Sequence, residues 1–274
     1  MHKYYSDKNV VGTSLLVSIS DVLLNILVGL LTGSTVVIAQ SLQGFSDLIT
    51  AGILYAGVKR SKRKADKKHP LGYGREIFFW VLIAGVLMFI GTGLLTFNIG
   101  LQQFLRPGEL DSIYVAFVML TFGFTTNLYA FRKSVKRLKG RQRKDMWRIF
   151  RTSSLIETKA TFIVDLLGTV SAVIGLVALS IYLITGNVQF DGLGSMFVGG
   201  TMMFAAVILV LDVRDLIVGK AVPDTIVRKI RKSTLSHQEI EEILDLRTLY
   251  LGSEKILILL EVHVNDTLTT NQIE

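Results

Sequence analysis

Cysteine is absent from the 274 residues, so neither disulfides nor thiolate metal sites are open to this chain. Charge is sparse. Charged residues make up 19% against 50% hydrophobic, and the mean hydropathy of +0.49 is too high for an ordinary soluble enzyme. No cleavable signal peptide is evident at the N-terminus, where polar residues lead directly into a full-length apolar run. Basic residues are missing from the short connections Thr32-Gly33-Ser34 and Thr185-Gly186-Asn187. They crowd instead into the stretches Lys59–Arg75 and Arg132–Arg151. The net charge of +8 therefore sits in short loops beside apolar segments, where it sets membrane topology and argues against a nucleic-acid partner.

Apolar runs of about 20 residues, the span of a bilayer core, recur along most of the chain. They predict six transmembrane helices over residues 10–31, 36–58, 77–104, 112–131, 153–184 and 192–212. The positive-inside rule puts both basic loops, and with them both termini, in the cytoplasm. The character changes after Arg214. Pro223-Asp224 opens a short amphipathic stretch, and two strand-like runs follow, Ile243–Tyr250 and Lys255–Val264. The expected fold class is an all-α membrane protein, with a six-helix domain over residues 1–214 and a partial cytoplasmic α/β domain over 215–274. One helix and two strands are a small core, so this tail reads as half of a module, either cut short or completed by a partner.

Two aspartates, Asp47 and Asp165, lie near the middle of apolar runs, where a carboxylate normally faces a partner, a cavity or an ion path. Counted from Lys59 and Arg151 at 1.5 Å per residue, they sit about 18 Å and about 21 Å from the same membrane face. One helical turn before each stands an uncharged oxygen-bearing residue, Gln43 and Thr161, on the same helix face. Two such faces meeting offer four side-chain oxygens and two negative charges to a divalent cation. A carboxyl in an apolar setting favours its protonated form, whereas a metal requires carboxylates, so metal loading expels protons. That chemistry predicts exchange of a divalent cation for protons. Other readings are a membrane scaffold that only dimerises, an intramembrane hydrolase and a passive channel. The hydrolase lacks a nucleophile–base pair, and a midplane pair of acids binds ions too tightly for a channel. The protein is not expected to be an enzyme.

The stretch Ala65-Asp66-Lys67-Lys68-His69-Pro70-Leu71-Gly72-Tyr73-Gly74-Arg75-Glu76 resembles the signature that follows the second helix of cation diffusion facilitators. Gly33-Ser34 before Ser46-Asp47, Asp165 in the fifth run and Asp191 opening the sixth match as well. The run from Gly74-Arg75-Glu76 into Phe78-Phe79-Trp80 is most similar to a zinc-transporter-related branch. The resemblance implies a homodimeric divalent-metal/proton antiporter, embedded in the lipid bilayer and exporting metal from the cytoplasm. It also implies a small ferredoxin-like cytoplasmic domain.

Zinc is the cargo that the family implies. Zinc-moving members usually have His, or His and Asp, where Gln43 and Thr161 stand here. All-oxygen sites suit manganese or magnesium better than zinc, so manganese, iron and magnesium stay open, as does a degenerate non-transporting relative. Weaker metal candidates lie elsewhere. Asp66 and His69 share a loop where some relatives bind metal, with Tyr73 in place of a third ligand; a hinge around Pro70 is the alternative. Glu261 and His263 lie on the second strand-like run, where a surface histidine on an alternating strand is the simpler expectation. Asp21 either adds a ligand or relay step to the first helix, or pairs with Ser18 and Asn25 inside the bundle.

Overall fold

The computed structural model describes Ile19, residues 22–139, 156–253 and 255–265, and Thr269. The chain forms helices α1 (Val22–Thr32), α2 (Thr35–Ser61), α3 (Glu76–Leu105), α4 (Ile113–Lys139), α5 (Ile156–Thr185), α6 (Gln189–Val218) and α7 (Asp224–Thr234), followed by strands β1 (Ile240–Tyr250) and β2 (Ile256–Val264). Among the described residues, α2 to α6 are each long and apolar enough to cross a membrane, and α1 is a shorter apolar helix. This is an integral, multi-pass membrane protein. Much of the expected first span, residues 10–31, lies outside the described residues.

The bundle is turned inside out relative to a soluble protein. Large apolar side chains such as Leu30, Tyr114, Phe197 and Phe204 are exposed, as a lipid solvent demands. The buried face of α2 carries Gln40, Gln43, Ser46 and Thr50, spaced three or four residues apart so that they share one side of the helix. Apolar packing is concentrated around Phe78, Val81, Met88, Leu209 and Val213, between α3 and α6.

Those two helices meet backbone to backbone. A Cβ placed at Gly100 would lie 2.6 Å from the Met196 nitrogen, one at Gly192 2.6 Å from the Phe104 nitrogen, and one at Gly199 2.5 Å from the Phe97 nitrogen. Facing glycines let membrane helices approach this closely. Within α3, Met88–Leu94 winds with the wider π spacing, a distortion often found beside functional sites. It sets the Thr92 hydroxyl 3.2 Å from Ser46 Oγ, one residue before Asp47.

Helix α2 begins at a cap supplied from far along the chain. Gly33 turns with φ +66°, and Ser34 is the N-cap. The carboxylate of Asp191, on the first turn of α6, accepts from Ser34 Oγ at 2.6 Å, Thr35 N at 2.6 Å, Thr35 Oγ1 at 2.6 Å and Val36 N at 3.4 Å. A helix N-terminus leaves N–H groups without partners and carries a partial positive charge, and a buried carboxylate answers both.

After α6, Pro223 starts α7, whose Ile226 and Val227 pack on the α3–α6 core. Strands β1 and β2 pair antiparallel, with Tyr250 opposite Ile256 and Leu246 opposite Leu260. Their hairpin turn docks on the loop between α2 and α3, where Gly74 lies against Leu251 and Gly252. Beside it the Arg75 guanidinium donates to the Ile217 carbonyl at the end of α6.

Candidate functional site

Asp47 on α2 and Asp165 on α5 line one cavity of about 320 Å³, large enough for a hydrated cation. Its walls come from α2, α4 and α5, with Val22 of α1 closing one side over Gly44. Thr161, one turn before Asp165, also lines it. Three of the four residues singled out from the sequence are thus brought to a common space. Gln43 is placed differently. It is fully buried and does not line the cavity; its side-chain amide donates to Asp47 Oδ1 at 2.7 Å. Gln43 holds the carboxylate in position. Asp165 is held in a similar way, since the buried Ser134 hydroxyl on α4 donates to its Oδ2.

Two carboxylates facing one largely apolar chamber repel each other unless protons or a cation lie between them. The arrangement brings two carboxylates and neutral oxygen donors to one chamber inside an apolar bundle, where ionisable groups are costly. Sequence reasoning missed further polar residues on the wall, including Gln40, Thr50, Thr126 and Asn127. A signal for Gln40 was there to be read: it precedes Asp47 by seven residues, two helical turns, and so returns to the same face.

The weaker candidates are dispersed. Asp66 is engaged within its own loop: Oδ1 accepts from the Lys68 and His69 amides at 3.0 and 2.7 Å, and Oδ2 from the Tyr73 hydroxyl at 2.7 Å. The Tyr73 hydrogen bond, then that of the His69 amide, holds the Asp66 carboxyl below its usual range, and the same bond raises the Tyr73 phenol. His69 Nδ1 is 3.6 Å from Asp66, and the His69 and Tyr73 rings meet at a tilt of 41° with centroids 4.2 Å apart. On the hairpin, His263 Nε2 is 3.8 Å from Glu241 and Glu261 sits opposite Asp245. Asp21 lies outside the described residues. Among the described residues no three His, Cys, Asp or Glu side chains come together as a metal cluster.

One charged pair was not anticipated. Lys159 on α5 is buried, and its ammonium lies 2.9 Å from Asp212 on α6, with Lys220 at 3.7 Å from the other oxygen.

Residues 12–218 match the cation efflux transmembrane domain. The chain belongs to the cation efflux family. This is the family that the Asp66–Glu76 stretch resembles. Over 243 residues the chain is 23% identical to the human proton-coupled zinc antiporter SLC30A9, mitochondrial, covering 87% of this chain and 43% of that protein. It is 25% identical over 242 residues to metal tolerance protein C4 of Arabidopsis thaliana, covering 85% of this chain and 52% of the relative. A shorter match, 30% over 90 residues, reaches the magnetosome protein MamB of Magnetospirillum gryphiswaldense, covering 33% of this chain and 30% of that protein. The chain spans about half the length of the long-matching relatives. The human relative is named as an antiporter, and none of these names denotes an enzyme.

Proposed function

We propose that this cation efflux chain is a divalent metal/proton antiporter that exports its cargo from the cytoplasm. The observation that carries the reading is the shared cavity of Asp47 and Asp165. A divalent ion requires both groups as carboxylates, so its arrival releases protons and its departure readmits them. Gln43 and Ser134 fix the two carboxylates through neutral donors, which leaves their negative charge for the ion. Thr161 adds a hydroxyl oxygen. Zinc is the cargo in the name of the human relative, while the oxygen donors here favour a harder ion such as manganese, iron or magnesium.

The same reading takes α1 as the outer half of the first of six spans and puts both termini in the cytoplasm. Two copies form the working unit, and α7 with the β1–β2 hairpin belongs to a ferredoxin-like tail domain. In sealed proteoliposomes carrying a trapped pH dye, added metal should drive proton counterflow. Asp47→Asn and Asp165→Asn keep the side-chain volume and remove the charge, so either should reduce metal flux to background in folded protein. Unchanged flux in both would remove the site assignment. Metal flux with no proton movement would remove only the antiport step.

A further inference from the structure

We propose that Gln40 and Asn127 complete the cation site with neutral amide oxygens and set its preference for manganese-like ions over zinc. The proposal rests on the cavity being the cation site. Gln40 is 6% exposed, lines the cavity, and its Oε1 has no hydrogen-bond partner among the described residues. A buried carbonyl oxygen left without a donor is unfavourable, and such groups in native proteins answer to water, an ion or a ligand. Gln40, Gly44 and Asp47 follow one another along a single helix face. Over Gly44, between the amide and the carboxylate, the Val22 side chain of α1 forms part of the cavity wall.

Asn127 approaches from α4. Its Nδ2 donates to the Gly123 carbonyl at 2.8 Å, which fixes the amide and turns Oδ1 away from its own helix. That oxygen lies against Gly168 of α5, where any side chain would collide with it. Gly168 follows Asp165 by three residues on α5, and Asn127 and Asp165 both line the cavity. Gln43 Oε1 is likewise buried without a described hydrogen-bond partner, but the Gln43 amide nitrogen is committed to Asp47 and the residue does not line the cavity.

The resulting donor set is two carboxylates, two amide oxygens and the Thr161 hydroxyl, with no imidazole and no thiolate. Manganese and magnesium take five or six oxygens readily, whereas zinc favours four ligands that include nitrogen or sulfur. The amide oxygens therefore contribute most to an ion of higher coordination number and least to zinc.

The test is calorimetric titration of the purified full chain, in lipid nanodiscs, with Mn²⁺ and separately with Zn²⁺. Gln40→Leu and Asn127→Leu should each weaken Mn²⁺ binding by roughly 10–100-fold, the range for losing a group that shapes a metal site, and Zn²⁺ binding by less than about threefold on the same scale. Gln40→Glu, which keeps an oxygen at the position, should retain Mn²⁺ binding. Folding has its own readout: without metal, Gln40→Leu should melt no lower than the parent, since it removes an unpartnered oxygen, while the rise in melting temperature on adding Mn²⁺ shrinks. Mn²⁺ binding that depends on Asp47 but is unchanged in Gln40→Leu and Asn127→Leu would overturn this inference and leave the cavity reading intact. Equal losses for both ions would overturn the selectivity claim. Binding that is insensitive to Asp47→Asn would overturn the cavity reading itself.

Discussion

Replacing Asp191 with alanine should destabilise the bundle without touching the cation cavity. The carboxylate accepts three bonds of 2.6 Å and one of 3.4 Å, and it is fully buried. A hydrogen bond to a charged group is worth about 1.5–3 kcal/mol net, but bonds to one carboxylate do not add independently. Removal leaves the neutral Ser34 and Thr35 donors buried without their acceptor, at about 1–3 kcal/mol for an unsatisfied group, so about 4 kcal/mol in total is the working figure here. At about 2–4 °C per kcal/mol for a chain of this size, the melting temperature should fall by roughly 10 °C in detergent, followed by fluorescence-detected size exclusion. Asp191→Asn should recover part of the loss. Its one oxygen still accepts, but its NH₂ faces the Thr35 amide and hydroxyl, which are themselves donors. Metal flux per folded molecule should persist in both variants below their melting temperatures. A melting temperature within 2 °C of the parent on that scale, together with lost flux, would refute the cap and make Asp191 part of the ion path.

Asp212→Asn removes the negative charge 2.9 Å from the buried Lys159 ammonium and should cost up to about 3–5 kcal/mol, most of it regained in Lys159→Met with Asp212→Leu; thermal melts of the single and double variants check this. Gly192→Ala sets a methyl 2.6 Å from the Phe104 nitrogen, a backbone atom that no rotamer change moves, and should cost at least about 1–3 kcal/mol in the same assay. For the loop, the sign follows from Asp66 being held below its usual range by Tyr73. Its contribution to loop order is present above the unfolded value near 3.9 and is lost as pH falls through the lower folded value. Tyr73→Phe should shift the carbon-13 titration of the Asp66 carboxyl upward, and no shift would mean the hydrogen bond is absent in solution.

The helices were legible because a bilayer imposes a long uniform signal. The expected run 36–58 became Thr35–Ser61, and 77–104 became Glu76–Leu105. Where they differ, the apolar run stops and the helix does not. The run expected to end at 131 continues as helix to Lys139, since Arg132 and Lys133 are good helix formers and hydropathy marks the edge of the lipid rather than the end of the hydrogen bonding. The π segment Met88–Leu94 left no such mark, because it changes the winding of a run that is apolar throughout. In the site, single-turn spacing drew attention to Gln43 and passed over Gln40, although both return to the face of Asp47. Spacing along one helix cannot say which of two glutamines points at a neighbouring carboxylate and which points into a chamber. That depends on α4, whose Asn127 and Ser134 share a helix face seven residues apart but carry no charge that would single them out in an apolar run.

What separates the acids inside the bundle is how much of each is already used. A carboxylate offers about four lone-pair directions. Asp191 receives four hydrogen bonds, so its capacity is filled and its charge serves the N-terminus of α2. Asp212 lies against two lysine ammonium groups, so its charge is already answered. Asp47 accepts one described hydrogen bond, from the neutral amide of Gln43, and it faces a chamber that also holds Asp165. One donor orients a carboxylate without neutralising it or exhausting its lone pairs. Supplying Asp47 with a cationic neighbour, as in Thr50→Lys on the same wall, should therefore convert it into a second Asp212. Metal binding should disappear while both aspartates remain in place, and titration calorimetry on that variant reads the outcome directly. Retained binding would show that charge left over at Asp47 is not what holds the ion.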